Sequence, residues 1–381
     1  MIAASRLRFG LFAAFASLGI TAAFIPAVLP SAERALGADL SAAVPSLFAG
    51  LLVGVLASGP LLMRFATRSM LILGSLLQAI ALVGVAWAGN APLFIAAAAI
   101  AGFGFGLVEA AGSVSAKTVS TGSATGTLSA LFGTVAVCAA LTPLVVLVGA
   151  RALPALGLLA LVPLATIVLL ARSSSPLARA SAPPQRTLRG LAVVAPFAIA
   201  LPLYVGVETV LSGWSATITE RTLTLDPAVA ALGTSAFWTL MAVGRFTAAA
   251  LRRRDVRPTA ILTIGTGAAA LLLAVAGLLV ASFPVPALLT LGLVVVLLAP
   301  SYGMIVGLAL DRLDAAHSAA VTGSLVACGA LGGTFVPALI LVASDGPASR
   351  MTFLLCALLC AAVPLLAWWG ARAPRRAGAV I

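Results

Sequence analysis

Across 381 residues the chain is 62% hydrophobic and 8% charged, with a mean hydropathy of +1.19 and a formal net charge of +12. Soluble proteins carry about 25% charged residues, so this composition excludes a soluble globular domain and points to an all-α polytopic membrane protein. The positive charge is not the footprint of nucleic-acid binding, because its arginines are dispersed between apolar runs.

Crossing a hydrocarbon core of about 30 Å takes roughly 20 apolar residues in a helix. The runs here are long and unbroken, unlike the alternating strands of a membrane barrel. In chain order they predict spans near 9–30, 42–63, 70–89, 93–114, 125–149 and 153–171. After a Ser-, Pro- and Arg-rich stretch come 191–214, 228–250, 259–281, 287–309, 320–343 and 351–370. The leading MIAASRLR runs straight into the first of these, which is longer than a signal-peptide core and reads as an uncleaved span.

Lys and Arg test the count of twelve. With the N-terminus in the cytoplasm, seventeen fall on the cytoplasmic side and four outside (Arg34, Arg151, Arg221 and Arg350), with Arg245 left inside a span. That asymmetry follows the positive-inside rule. It predicts a multi-pass protein of the bacterial cytoplasmic membrane with both termini inside. The stretch 173–190 divides the chain into six-span halves, 1–172 and 191–381, and reads as a flexible linker lying along the bilayer surface. GVLASGPLLMR from Gly54 superposes on GRFTAAALRRR from Gly244, a faint internal repeat of the kind parallel-repeat transporters show.

Chemical motifs are sparse. Cys138, Cys328, Cys356 and Cys360 all lie in apolar runs and read as packing residues, and one histidine, His317, cannot build a histidine metal site. No P-loop, HExxH or GxSxG pattern occurs. Neither an enzyme, a metal site nor a cofactor is predicted. The glycines of GFGFG (102–106) resemble a dinucleotide loop only superficially, since no strand precedes them, and read as close helix packing.

Three charged residues fall well inside spans: Glu109, Glu208 and Arg245. A charge at the bilayer centre costs roughly 2.5–3.5 kcal/mol on insertion scales. A carboxyl that alternates between neutral and charged forms can carry a proton. Glu109 and Glu208 are therefore candidates for proton coupling or substrate handling. The alternatives stay open: interhelical hydrogen bonding, or for Glu208, about 9 Å below Trp214, the outer headgroup level. Arg245, about 10 Å above Arg252, is either a gate partner for Glu109 or an arginine snorkelling to the cytoplasmic face.

Twelve spans, a six-plus-six division and basic loops after spans two and eight resemble the major facilitator superfamily. GPLLMRFATR, 59–68, matches its loop pattern at Gly59, Leu61, Arg64 and Arg68, with Met63 and Ala66 departing from it. GFGFGLVEAAGS, LYVGVETVLSGW and SAFWTLMAVGRF are similar to the fourth, seventh and eighth helices of its fucose-permease-like branch. The resemblance implies the major facilitator fold, two pseudo-symmetric halves and alternating access. It makes Arg64 and Arg68 loop charges of the gate, and Ser113, Trp238 and Tyr302 cavity candidates by family position; Tyr204 and Trp214, the aromatics near Glu208, are candidates to stack on a sugar face. Trp214 is equally placed for an interfacial aromatic belt. That branch's sugar symporter has an acidic first helix and an asparagine where Ser113 stands here; 9–30 holds no acid.

The span polar inventory is thin, with Gln78 the one span glutamine and Asn90 the one asparagine. The expected activity is secondary transport, as proton-coupled uptake of a small neutral, sugar-like solute. Proton-driven export of amphiphilic compounds is the alternative. Partners are the solute, protons and the lipid bilayer, with no nucleic acid, and one chain is sufficient.

Overall fold

The computed structural model describes residues 2–119, 124–173, 194–313 and 315–372. Among these all regular structure is helical. The first half runs α1 (Ile2–Leu36), α2 (Ala43–Arg64), α3 (Thr67–Ala86), α4 (Ala91–Val119) and α5 (Ala124–Gly149). A 3-10 segment, Ala150–Ala160, then leads into α6 (Leu161–Ala171). Next come α7 (Ala195–Gly213), α8 (Ser215–Leu223), α9 (Pro227–Ala230), α10 (Leu232–Arg253) and α11 (Pro258–Leu279). The chain continues through α12 (Pro284–Leu298), α13 (Ser301–Leu310), α14 (Ala315–Ala343) and α15 (Arg350–Arg372). Among the described residues twelve stretches are long and apolar enough to cross a membrane, and each overlaps one predicted span. The stretch expected to link the halves lies, but for Ser173, outside the described residues.

Helix is forced on these runs because hydrocarbon offers no partner for a backbone N–H or C=O. Proline marks where helices start or bend. Pro227, Pro258 and Pro284 open α9, α11 and α12, where the missing N–H has no consequence. Pro300 splits the tenth span, since it cannot donate to the Val296 carbonyl four residues back. The chain resumes with Met304 N–H donating to Pro300 O at 3.1 Å.

The helices gather into two compact units. The first comprises Met1–Ala182, Ser215–Glu220 and Leu225–Trp238. Its core gathers Leu11, Phe15, Leu18, Leu71, Val108 and Leu131, with Phe15 edge-on to Phe132 at 5.5 Å. Glycines set its tightest crossings. A Cβ on Gly50 or Gly54 of α2 would collide with the Ala99 or Phe103 carbonyl of α4, and one on Gly102 or Gly106 with the Leu47 or Leu51 carbonyl of α2. Gly104 meets α3 instead, where Gly74 O would stand 2.7 Å from its Cβ. The alternation in GFGFG therefore serves two neighbours: Gly102 and Gly106 face α2, Gly104 faces α3. In the same unit Ser235 Oγ donates to Ala140 O at 2.8 Å, and Arg34 pairs with Asp226 at 3.2 Å.

The second unit comprises Pro183–Trp214, Arg221–Thr224 and Thr239–Ile381. Here Gly332 of α14 abuts the Pro202 carbonyl of α7, and Gly206 of α7 abuts Val336. A Cβ on Gly244 of α10 would collide with the Val296 carbonyl of α12. Gly54 and Gly244, the matched glycines of the sequence repeat, thus do the same work: each seats a half's second span on its fourth. The free thiol of Cys360 reaches the Thr266 carbonyl at 3.4 Å, which agrees with a packing role.

Candidate functional site

Glu109 lies seven residues beyond Gly102 and three beyond Gly106, so it continues the stripe of α4 that packs on α2. Ser113, one turn further, extends that stripe. Both are half-buried. Gly112 lets α4 approach α1, because the Phe15 ring lies 2.5 Å from where a Cβ would stand. Among the described residues Glu109 makes no ion pair or hydrogen bond with another side chain.

The second unit holds a tighter constellation. Tyr204 and Glu208 stand four residues apart on one face of α7, the tyrosine buried and the glutamate half-buried. Arg245 of α10 faces the Glu208 carboxylate within electrostatic range. Its Nε also donates to the Ala299 carbonyl at 3.4 Å. That carbonyl is the last before Pro300, at the split between α12 and α13. The Tyr204 hydroxyl lies near both the Glu208 carboxyl and the Tyr302 backbone N–H, short of hydrogen-bond geometry with either. Gly329 of α14 packs beside Tyr302, whose ring lies 3.7 Å from where an added Cβ would stand.

This arrangement assigns Arg245 a partner that sequence left open. The acid facing it within its own unit is Glu208, and its second anchor is a helix-break carbonyl. A charged Glu208 has a cation and a phenol at hand; a protonated one leaves Arg245 to the Ala299 carbonyl alone.

The remaining candidates separate. Trp214 is fully buried at the C-cap of α7. Trp238 is half-buried, edge-on to Phe237 at 5.6 Å, and its indole N–H is buried without a hydrogen-bond partner. Arg64 is exposed at the end of α2 and Arg68 half-buried at the start of α3. Sequence reading passed over Ser301, whose buried hydroxyl has no hydrogen-bond partner beside Tyr302. It also passed over the core pair of the first unit, in which the Ser17 hydroxyl donates to Gln78 Oε1 at 2.5 Å. The available signal was Gln78 itself, the one glutamine within a span.

Comparison with solved structures decides the fold. A D-xylose–proton symporter aligns with a TM-score of 0.79 at 17% identity, covering 97% of this chain and 98% of that one. The fold is that of the major facilitator transporters. The E. coli fucose:proton symporter aligns at 0.65 and 17% identity, over 96% of this chain and 98% of that one. A nucleoside transporter aligns at 0.72 and 14%, with the same coverage. No protein-family profile matches the sequence. No curated protein matches it either. The major facilitator fold expected from the residues is present, and the fucose symporter is among the proteins that share it.

Proposed function

We propose that the chain is a secondary transporter that takes up a small neutral solute together with a proton by alternating access. The observation that carries this reading is the Glu208–Tyr204–Arg245 constellation at the broken tenth span. It couples one proton to one helix break. With Glu208 charged, Arg245 is held toward α7; with Glu208 protonated, Arg245 rests on the Ala299 carbonyl and steadies the α12–α13 junction. Glu109, with no ionic partner among the described residues, is the substrate-facing carboxyl of the first half, with Ser113 beside it. Within the second unit Tyr204 and Ser301 supply unpaired donors for hydroxyls and Tyr302 supplies a ring face; within the first, Trp238 carries an unpaired indole N–H. Similarity to symporters of xylose and fucose supports a sugar-like solute. The arginine distribution supports a cytoplasmic location for both termini. Within one chain the two six-helix halves, 1–172 and 191–381, suffice as the working unit.

One observation favours export of amphiphilic cations as a second reading: among the described residues Glu109 has no counter-charge, which a cation would supply. A thermal-shift screen of purified protein against monosaccharides, polyols, nucleosides and lipophilic cations separates the two. A ligand at about 100 times its Kd stabilises by about 2.7 kcal/mol. Sugar or polyol hits that vanish in Glu109→Gln support uptake. Hits confined to lipophilic cations contradict it and favour export.

A further inference from the structure

Between α10, α11 and the α12–α13 break the second unit carries a groove of about 230 Å³. Its walls are apolar apart from Thr247 and include Ala248, Leu251, Ile261, Ile264 and Pro300. Ile264 is 71% exposed, and Leu271 and Leu278 on the same helix are largely bare as well. The groove therefore opens on an apolar outer face and not on a polar path. Leu251 and Val256 form one end of it, and these two residues flank the turn between α10 and α11. That turn carries Arg252, Arg253, Arg254 and Arg257 within six residues, against the single acid Asp255. Arg254 and Arg257 are exposed. Asp255 adopts a φ of 60°, the left-handed conformation that turns the chain sharply there. From Leu251 to Gly244, at the far end, the groove runs about 10 Å along α10.

We infer that this groove seats an acyl chain of an anionic phospholipid whose headgroup lies on the arginine turn. The two chemistries are adjacent and in the right order along the helix: charge at the end, then hydrocarbon. Neither a sugar nor a soluble protein segment matches an apolar slot on a lipid-facing surface. A concentration of arginine beside a span attracts anionic headgroups at about 1 kcal/mol for each residue. The inner end of the groove is formed by Gly244, Val296 and Pro300. Arg245, the neighbour of Gly244, holds the Ala299 carbonyl at the same break. A bound chain thus presses against the wall that anchors Arg245, which makes the lipid an effector of that junction.

The test is native mass spectrometry of detergent-purified protein titrated with phosphatidylglycerol or phosphatidylcholine. Wild type retains phosphatidylglycerol and sheds phosphatidylcholine. Arg254→Gln with Arg257→Gln raises the phosphatidylglycerol Kd by about thirtyfold. Thr247→Trp, an exposed position that fills the groove while leaving both arginines, raises it as well. Thermal unfolding of each variant confirms the fold. Equal retention of both lipids overturns the proposal, as does phosphatidylglycerol binding untouched by Thr247→Trp, which would place the headgroup without the chain. A dimer mass abolished by Thr247→Trp would also overturn it, by assigning the face to a second copy.

Discussion

Glu208 is the residue on which the account turns, because its surroundings suit a carboxyl that changes charge. Arg245→Gln leaves the carboxylate facing Tyr204 alone, whereas Glu208→Gln with Arg245→Gln removes both charges together. A double-mutant cycle by thermal unfolding should give a coupling of about 1–3 kcal/mol, with the double variant more stable than additivity allows. Additive effects would mean that the two side chains ignore each other. Tyr204→Phe tests a different point. Its hydroxyl makes no formed hydrogen bond in this conformation, so loss of the oxygen should leave stability within about 1 kcal/mol while lowering transport. The acid Glu208 was legible in the sequence as a charge in an apolar run. Its partner was not: Arg245 lies 37 positions away on another helix, and snorkelling fits the same spacing. Only the fold brings them within electrostatic range of each other.

At the scale of elements, glycine chooses which helices touch. Gly102→Leu drives a side chain into the Leu47 carbonyl and should cost about 1–3 kcal/mol or more, read as a lowered melting point. Gly267→Ala in α11, where an added Cβ meets nothing within 4 Å, should be neutral or stabilise by up to about 1 kcal/mol. Equal loss from both would refute the packing role. The contact between Arg34 and α9 offers a finer distinction. Asp226 caps α9 through the Ala228 N–H at 2.9 Å and also pairs with Arg34, both side chains being largely exposed. Asp226→Asn keeps the cap and loses an exposed pair, a change of about 0–1 kcal/mol; Asp226→Ala also loses the cap and costs about 1 kcal/mol more. Spans were readable because lipid demands length and hydropathy. The α12–α13 break was hidden, since a proline in an apolar run marks a bend, a break or nothing, and the neighbouring helix decides.

At the scale of the molecule, the fold places two different carboxyls in two units, one facing an arginine and one without an ionic partner. That asymmetry underlies the proposed division of labour, in which Glu208 would sense the proton and Glu109 would meet the solute. The faint repeat around Gly54 and Gly244 was visible in sequence because both glycines perform the same contact. The unpaired polar atoms, Trp238 Nε1 in the first unit and the hydroxyls of Tyr204 and Ser301 in the second, were not visible, because such residues are ordinary until packing leaves them unpaired. Lipid at the arginine turn would add a third input to the junction that Arg245 holds.

The most direct test of proton-coupled uptake is proton movement in proteoliposomes that enclose a pH-sensitive dye. The sugar or polyol that gives the strongest thermal shift is added outside at equal internal and external pH. The account predicts that the lumen acidifies as solute enters, and that Glu208→Gln abolishes the acidification while solute exchange continues. Solute entry with no change of luminal pH in the wild type would contradict it.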